Sequence, residues 1–144
     1  MTGMTPIVKT ISRWIRGLLL LYGVQIVLYG HLTPGGGFCG GVLIAAAFAL
    51  VLLAEGRDST LAAAALRVAK RLDSGAALAF LLIAAAGLWF GGAFFENFIE
   101  TPPSRFFSLG SSGTILLSNI AVGLKVASGI TVAVAALAAG GGSS

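Results

Sequence analysis

The chain has 144 residues, of which 57% are hydrophobic and 10% charged, and its formal net charge is +4. The charged fraction is less than half of the roughly 25% found in soluble domains, and the mean hydropathy is +0.98. These values exclude a water-soluble enzyme, and the basic residues flank apolar segments instead of forming the aromatic-lined patch typical of nucleic-acid binding. We expect one membrane domain, residues 1–139, and a disordered tail, residues 140–144.

Four apolar segments are long enough to cross a bilayer as helices, which takes about 20 residues each. They cover residues 11–30, 38–54, 75–95 and 113–139. Glycine and alanine are frequent in all four, and small residues let membrane helices approach closely. The sequence therefore predicts an all-α membrane protein with four transmembrane helices that pack tightly on one another and on neighbouring chains.

The basic residues predict the orientation, because Lys and Arg in short loops favour the cytoplasmic side. Seven of them lie in the amino-terminal segment, up to the start of the first span, or between the second and third spans: Lys9, Arg13, Arg16, Arg57, Arg67, Lys70 and Arg71. The opposite side has only Arg105. Both termini are therefore expected in the cytoplasm, with the first and third loops outside.

The second loop is expected to contain a helix of its own. Asp58 and Ser59 can cap a helix over residues 61–72, in which basic residues gather toward the end. Such a helix is typical of one that lies on an anionic membrane surface. The alternative is a docking site for a cytoplasmic partner.

The first loop, residues 31–41, reads His-Leu-Thr-Pro-Gly-Gly-Gly-Phe-Cys-Gly-Gly. Pro34 lacks a backbone donor, and the glycines admit conformations that are closed to other residues. Lipid does not tolerate such backbone unless protein or water covers it, so we expect helices around this Pro-Gly-rich loop. His31 is either a structural hydrogen-bond donor or a proton relay, since histidine changes charge near neutral pH.

Lys125 lies about 18 Å from either end of the fourth span, at 1.5 Å per helical residue. An ammonium group at such a depth costs at least about 3 kcal/mol and needs a carboxylate or water. At 100° per residue, Thr114, Ser118 and Ser128 share its face. The stripe indicates a hydrated proton or cation path or, alternatively, a structural ion pair. No acidic residue falls deep within a predicted span, so the partner acid is expected in another subunit.

Two acidic residues, Glu96 and Glu100, follow the third span four residues apart. They either attract cations to an outer entrance or are simply solvated. The single cysteine and single histidine make neither a metal site nor a catalytic arrangement, so we expect no metal, no cofactor and no catalytic residue in this chain.

The first loop also carries a family resemblance. Its pattern, formed by Gly30, His31, Pro34, Gly35, Gly36, Gly37, Phe38, Gly40 and Gly41, resembles the signature of the MnhB/MrpB subunit of multisubunit Na+/H+ antiporters. The four-span layout and the run from Asn119 to Val126 support the resemblance. Asn119 stands where some members of that family carry an acid.

The resemblance implies a small, multi-pass subunit of the prokaryotic plasma membrane in a hetero-oligomeric Mrp-type complex. Its neighbours would be other membrane subunits, and the transported ions would be Na+ and H+. The chain would help to form or seal an ion path at subunit interfaces. The alternative is the equivalent, non-catalytic place in a membrane-bound hydrogenase or another complex related to respiratory complex I. An autonomous homo-oligomeric transporter is disfavoured, because such exporters need an acid inside a span.

Overall fold

The structure is a computed structural model that describes residues 5–30, 32, 34–55, 60–90 and 113–140. Within these ranges the chain forms four helices: α1 (Pro6–Leu28), α2 (Gly36–Glu55), α3 (Thr60–Phe90) and α4 (Thr114–Gly140). Each is long and apolar enough to cross a membrane. This confirms the predicted all-α fold with four transmembrane helices. α4 ends at the first residue of the predicted tail, and the rest of that tail lies outside the described residues.

The helices form a layer in the order α1, α2, α4, α3. α1 packs on α2, α2 on α4 and α4 on α3, while contacts between α1 and α4 and between α2 and α3 are few. Such a layer has two open faces, and large apolar side chains such as Trp14, Leu21 and Trp89 are accordingly exposed. Its buried hydrophobic residues are almost all alanines. The small side chains bring the helix axes close together, as expected where packing replaces the hydrophobic driving force.

The glycines of the first loop set the register of this layer. An ideal Cβ on Gly40 would lie 2.7 Å from the carbonyl oxygen of Gly23 in α1, and one on Gly41 would lie 2.6 Å from that of Gly123 in α4. The first turns of α2 therefore pack between α1 and α4, with no room for a methyl group on either side. The helices expected around the Pro-Gly-rich loop are found within the chain itself.

The turn into α2 depends on glycine conformation. Gly35 and Gly36 have φ angles of 104° and 51°, in the region that L side chains rarely adopt. The reversal makes α1 and α2 antiparallel, and the glycine contacts place the start of α2 beside the start of α4. The first residue of α1 and the last of α4 thus lie at the same end of the layer. Which side of the membrane that end faces remains the prediction made from the basic residues.

α3 differs from the prediction. A separate surface helix over residues 61–72 and a span over residues 75–95 were expected, but one uninterrupted helix runs from Thr60 to Phe90. The segment has no proline to break it, and its two glycines, Gly75 and Gly87, cost a helix only about 1 kcal/mol each. The basic residues Arg67, Lys70 and Arg71 therefore lie along α3 and not in a loop.

Candidate ion-path site

The central feature of the site is an ion pair between α3 and α4. The Lys125 Nζ donates to Asp73 Oδ1 over 2.6 Å. The partners are 52 residues apart in sequence, and each lies near the middle of its helix. Charge-assisted hydrogen bonds of this length are among the strong ones in proteins. The ammonium group that a bilayer would otherwise penalise thus has its counter-charge within the chain.

A hydroxyl group joins the pair. Ser128 Oγ lies 3.4 Å from the same Asp73 oxygen, and it is also 2.7 Å from the carbonyl oxygen of Leu124. Ser128 is 3% exposed, so its hydroxyl group lies inside the α3–α4 contact. The hydroxyl group has a single proton, so it can donate either to the Leu124 carbonyl oxygen or to the Asp73 carboxylate.

The pair lies at mid-depth in the layer. The backbone N–H of Gly37 donates to Asn119 Oδ1 over 3.5 Å, an offset of 82 residues between α2 and α4. Residue 127 lies between Lys125 and Ser128, the two α4 residues that contact Asp73. The same offset of 82 residues places it level with Ala45, at the middle of α2. Since α2 has 20 residues, it is about 30 Å long, close to the thickness of the hydrocarbon core. The ion pair therefore lies near the centre of the region that α2 spans.

The pair is nevertheless open on one side. The side chains of Lys125 and Asp73 are 46% and 33% exposed. Exposure to lipid at this depth is strongly unfavourable for charges, which face protein or water in membrane proteins. The open side of the pair therefore needs either a neighbouring subunit or a water-filled space.

The structure corrects the expected source of the acid. The partner of Lys125 was predicted in another subunit, because the third span was placed after Asp73. With α3 starting at Thr60, Asp73 falls in the middle of a helix. The signal that could have revealed it is the absence of proline between positions 60 and 90.

The rest of the predicted polar stripe does not join the pair. Ser118 Oγ donates to the carbonyl oxygen of Thr114 over 3.0 Å, one turn earlier in α4. Ser118 lies seven residues before Lys125, or about 10 Å along the axis. The structure thus brings Lys125, Ser128 and Asp73 together and leaves Ser118 and Thr114 as separate polar positions nearer the start of α4.

Three predicted site residues lie outside the described part of the chain: His31, Glu96 and Glu100. The described residues of the Pro-Gly motif contribute packing and not polar chemistry. One exception is the first turn of α2, where the N–H of Gly37 is bonded to Asn119. Asn119 is not a member of the predicted polar stripe, and its side chain makes a polar contact between α4 and the start of α2.

Comparisons with known proteins identify the family of this chain. Residues 7–132 match the family described as a domain related to the MnhB subunit of Na+/H+ antiporters. A putative antiporter subunit mnhB2 from Staphylococcus saprophyticus is 32% identical over 99 residues, which cover 67% of this chain and 70% of that protein. The similarity thus extends over most of both sequences.

Two archaeal matches cover more of the chain. The uncharacterized protein MJ1307 of Methanocaldococcus jannaschii is 41% identical over 133 residues, or 90% of this chain. A chain of the membrane-bound sulfane sulfur reductase, an archaeal respiratory membrane complex, superposes with a TM-score of 0.71 at 26% identity, again over 90% of this chain. The chain spans 50% of the first protein and 56% of the second.

Proposed function

We infer the function of this chain from its family: it belongs to the domains related to the MnhB subunit of Na+/H+ antiporters. It is a multi-pass protein of the prokaryotic plasma membrane and an antiporter-type subunit of a multisubunit membrane complex. We propose that the complex exchanges Na+ or another cation for H+, and that this subunit lines part of the ion path where it meets a neighbouring subunit. The Asp73–Lys125 pair is the observation that carries the proposal.

The position and openness of the pair support a transport role. A pair that served only to hold α3 against α4 would be best enclosed between these two helices, whereas both side chains are partly exposed at mid-depth. A cation or proton that approaches Asp73 from the open side competes with the Lys125 ammonium for one oxygen. The carboxylate would bind the Lys125 ammonium in one state and the incoming cation or proton in the other. Alternation between these two states would let it take up and release a positive charge without leaving its place in α3.

The test replaces each member of the pair in the assembled complex. Lys125→Ala and Asp73→Asn are expected to lower cation/proton exchange in inverted membrane vesicles at least about tenfold, since hydrogen bonds to charged groups contribute about 1.5–3 kcal/mol. Exchange is followed by a pH-sensitive dye after addition of Na+. Co-purification of the other subunits with the tagged chain measures assembly in the same membranes.

Lys9→Ala is the matched control, because Lys9 is an exposed lysine in the first turn of α1, far from the pair. It should leave both exchange and assembly unchanged. Normal exchange by an intact Lys125→Ala complex would refute the path, and loss of assembly in both variants would show that the pair is structural. The doubly neutral variant, Lys125→Met with Asp73→Leu, separates the two roles, because it removes both charges without leaving either unpaired.

A second candidate host follows from the likeness to a subunit of the sulfane sulfur reductase complex. In that case the same subunit would belong to a redox-driven membrane complex and carry no catalytic residue itself. Affinity purification of the tagged chain distinguishes the hosts. Iron–sulfur subunits among the co-purified chains would favour the redox complex, and antiporter subunits alone would favour the exchanger.

A further inference from the structure

α3 carries a second charged feature that the ion path does not use. Arg67, Lys70 and Arg71 are all exposed and, at 100° per residue, lie within an arc of about 100°. The buried residues of this part of α3 are Ala62, Ala69 and Ala76, which lie on the opposite side of the helix. The three cations thus point away from α4 and form a basic face on the outer edge of the layer.

The cations of the basic face have no counter-charge among the described residues. The Arg67 Nε donates to the carbonyl oxygen of Ala63 over 3.4 Å, which is a contact within its own helix. Lys70 and Arg71 make no ion pair within the described ranges; the salt bridge found there joins Lys125 and Asp73. A shallow groove of about 180 Å³, lined by Ala64, Arg67, Val68 and Arg71, runs along the face.

The register of the helices sets the depth of the basic face. Asp73 is level with the middle of α2, and at 1.5 Å per residue Lys70 and Arg71 lie only about 3–5 Å from that level along α3. The hydrocarbon core extends about 15 Å to either side of its centre. A lysine side chain of five bonds spans about 6 Å. Lys70 therefore ends several ångströms short of the lipid headgroups.

A lipid phosphate consequently does not account for the whole basic face. It can be reached from Arg67, which lies about 9 Å from the mid-level, but not from Lys70. Charges at this depth are paired with one another or lie against water. The groove is too shallow to be a water-filled space by itself, so its open side requires a covering element that brings negative charge.

We propose that the basic face of α3 is the docking surface for a membrane helix of a neighbouring subunit, and that this helix presents an Asp or Glu side chain to Lys70 and Arg71. The small side chain of Ala64 lets the helix approach closely between the longer side chains. The proposal relies on membership in a multisubunit membrane complex and does not depend on ion conduction by Asp73 and Lys125.

Zero-length cross-linking of the intact, purified complex tests the contact. A membrane-permeant carbodiimide joins a lysine amine to a carboxylate that touches it, and mass spectrometry of the peptides identifies the residues. We expect Lys70 to be joined to an acidic residue in a membrane helix of another subunit. The Lys125–Asp73 pair, at 2.6 Å, provides the positive control within the same chain.

A substitution test gives an independent measurement. Lys70→Gln combined with Arg71→Gln should lower the amount of the cross-linked subunit that co-purifies with the tagged chain at least about tenfold, because the acid is left unpaired. Lys9→Gln removes one charge elsewhere and should change nothing. Lys70→Glu, combined with replacement of the partner acid by lysine, should restore co-purification.

Two results would overturn the proposal. One is a cross-linked sample in which Lys125 reacts with Asp73 but Lys70 reacts with no other subunit. The other is full retention of all subunits by the double variant together with loss of bound anionic lipid in native mass spectrometry, which would assign the face to lipid. Neither result depends on transport, so failure here is distinguishable from failure of the ion path.

Discussion

The close approach of α2 to α1 at Gly40 makes a prediction that can be worked out in detail. In Gly40→Ala, the new methyl group would lie 2.5 Å from Val27 Cγ2, 2.7 Å from the Gly23 carbonyl oxygen and 2.9 Å from the Val27 nitrogen. Ordinary contact begins near 3.4 Å, so the approach to the carbonyl oxygen is short by about 0.7 Å. Two of these atoms belong to the α1 backbone, which cannot rotate away, and the helices must separate.

The expected magnitude follows from two opposing effects. Alanine is favoured over glycine within a helix by about 0.5–1 kcal/mol, while overpacking a well-packed contact costs typically about 1–3 kcal/mol. Gly40→Ala should therefore destabilise the protein by about 1–2 kcal/mol net. Gly75→Ala is the matched control, because it adds the same methyl group to a helix where nothing lies within 4 Å, and it should be neutral or stabilising.

Thermal denaturation of the detergent-solubilised complex, followed by size-exclusion chromatography of a fluorescently tagged chain, measures the difference. The midpoint of Gly40→Ala should fall below that of the unsubstituted protein, and that of Gly75→Ala should equal or exceed it. Equal midpoints for the two variants would refute the reasoning, because helix propensity affects both positions alike and only packing distinguishes them.

Three further predictions concern other contacts. Gly35→Ala should destabilise the turn into α2 by at least about 1 kcal/mol, since its φ is 104° and its Cβ would meet Cys39, whereas Gly17→Ala, with open space, should not. Asn119→Ala should cost about 1 kcal/mol in thermal denaturation through loss of the acceptor at the start of α2, whereas Asn119→Asp keeps an acceptor near a helix N-terminus and should be milder. In a double-mutant cycle on Asp73 and Lys125, each single neutral variant should lower the thermal stability of the solubilised complex more than the double variant does; additive effects would contradict a direct interaction.

Much of the fold could be predicted from the sequence. The number of helices follows from hydropathy along the chain, and the starts of α2 and α4 lie within two residues of the predicted span boundaries. The Pro-Gly motif predicted close packing around the first loop, and Gly40 and Gly41 make it against α1 and α4. These features are local, because a segment of about 20 apolar residues has few stable alternatives in a bilayer.

Only half of the ion pair could be predicted from the sequence. Lys125 stood out because it is a charged residue in an apolar segment, whereas Asp73 was assigned to a loop next to three basic residues. Local composition favoured a boundary at Asp73, and the structure continues the helix through it. For the same reason the three basic residues were assigned to a separate surface helix, whereas they lie along the continuous α3.

What the sequence determined by itself is therefore the membrane setting, the helical class, the number of spans and the family motif, since each depends on residues that are neighbours along the chain. Only the tertiary structure decided that Asp73 pairs with Lys125 and that Lys70 lies close to the level of the middle of α2. Both depend on how far α3 is displaced along α4 and α2, and that displacement is fixed by close contacts between residues more than 50 positions apart. Hydropathy records which segments prefer lipid, but it carries no information about which levels of two helices meet.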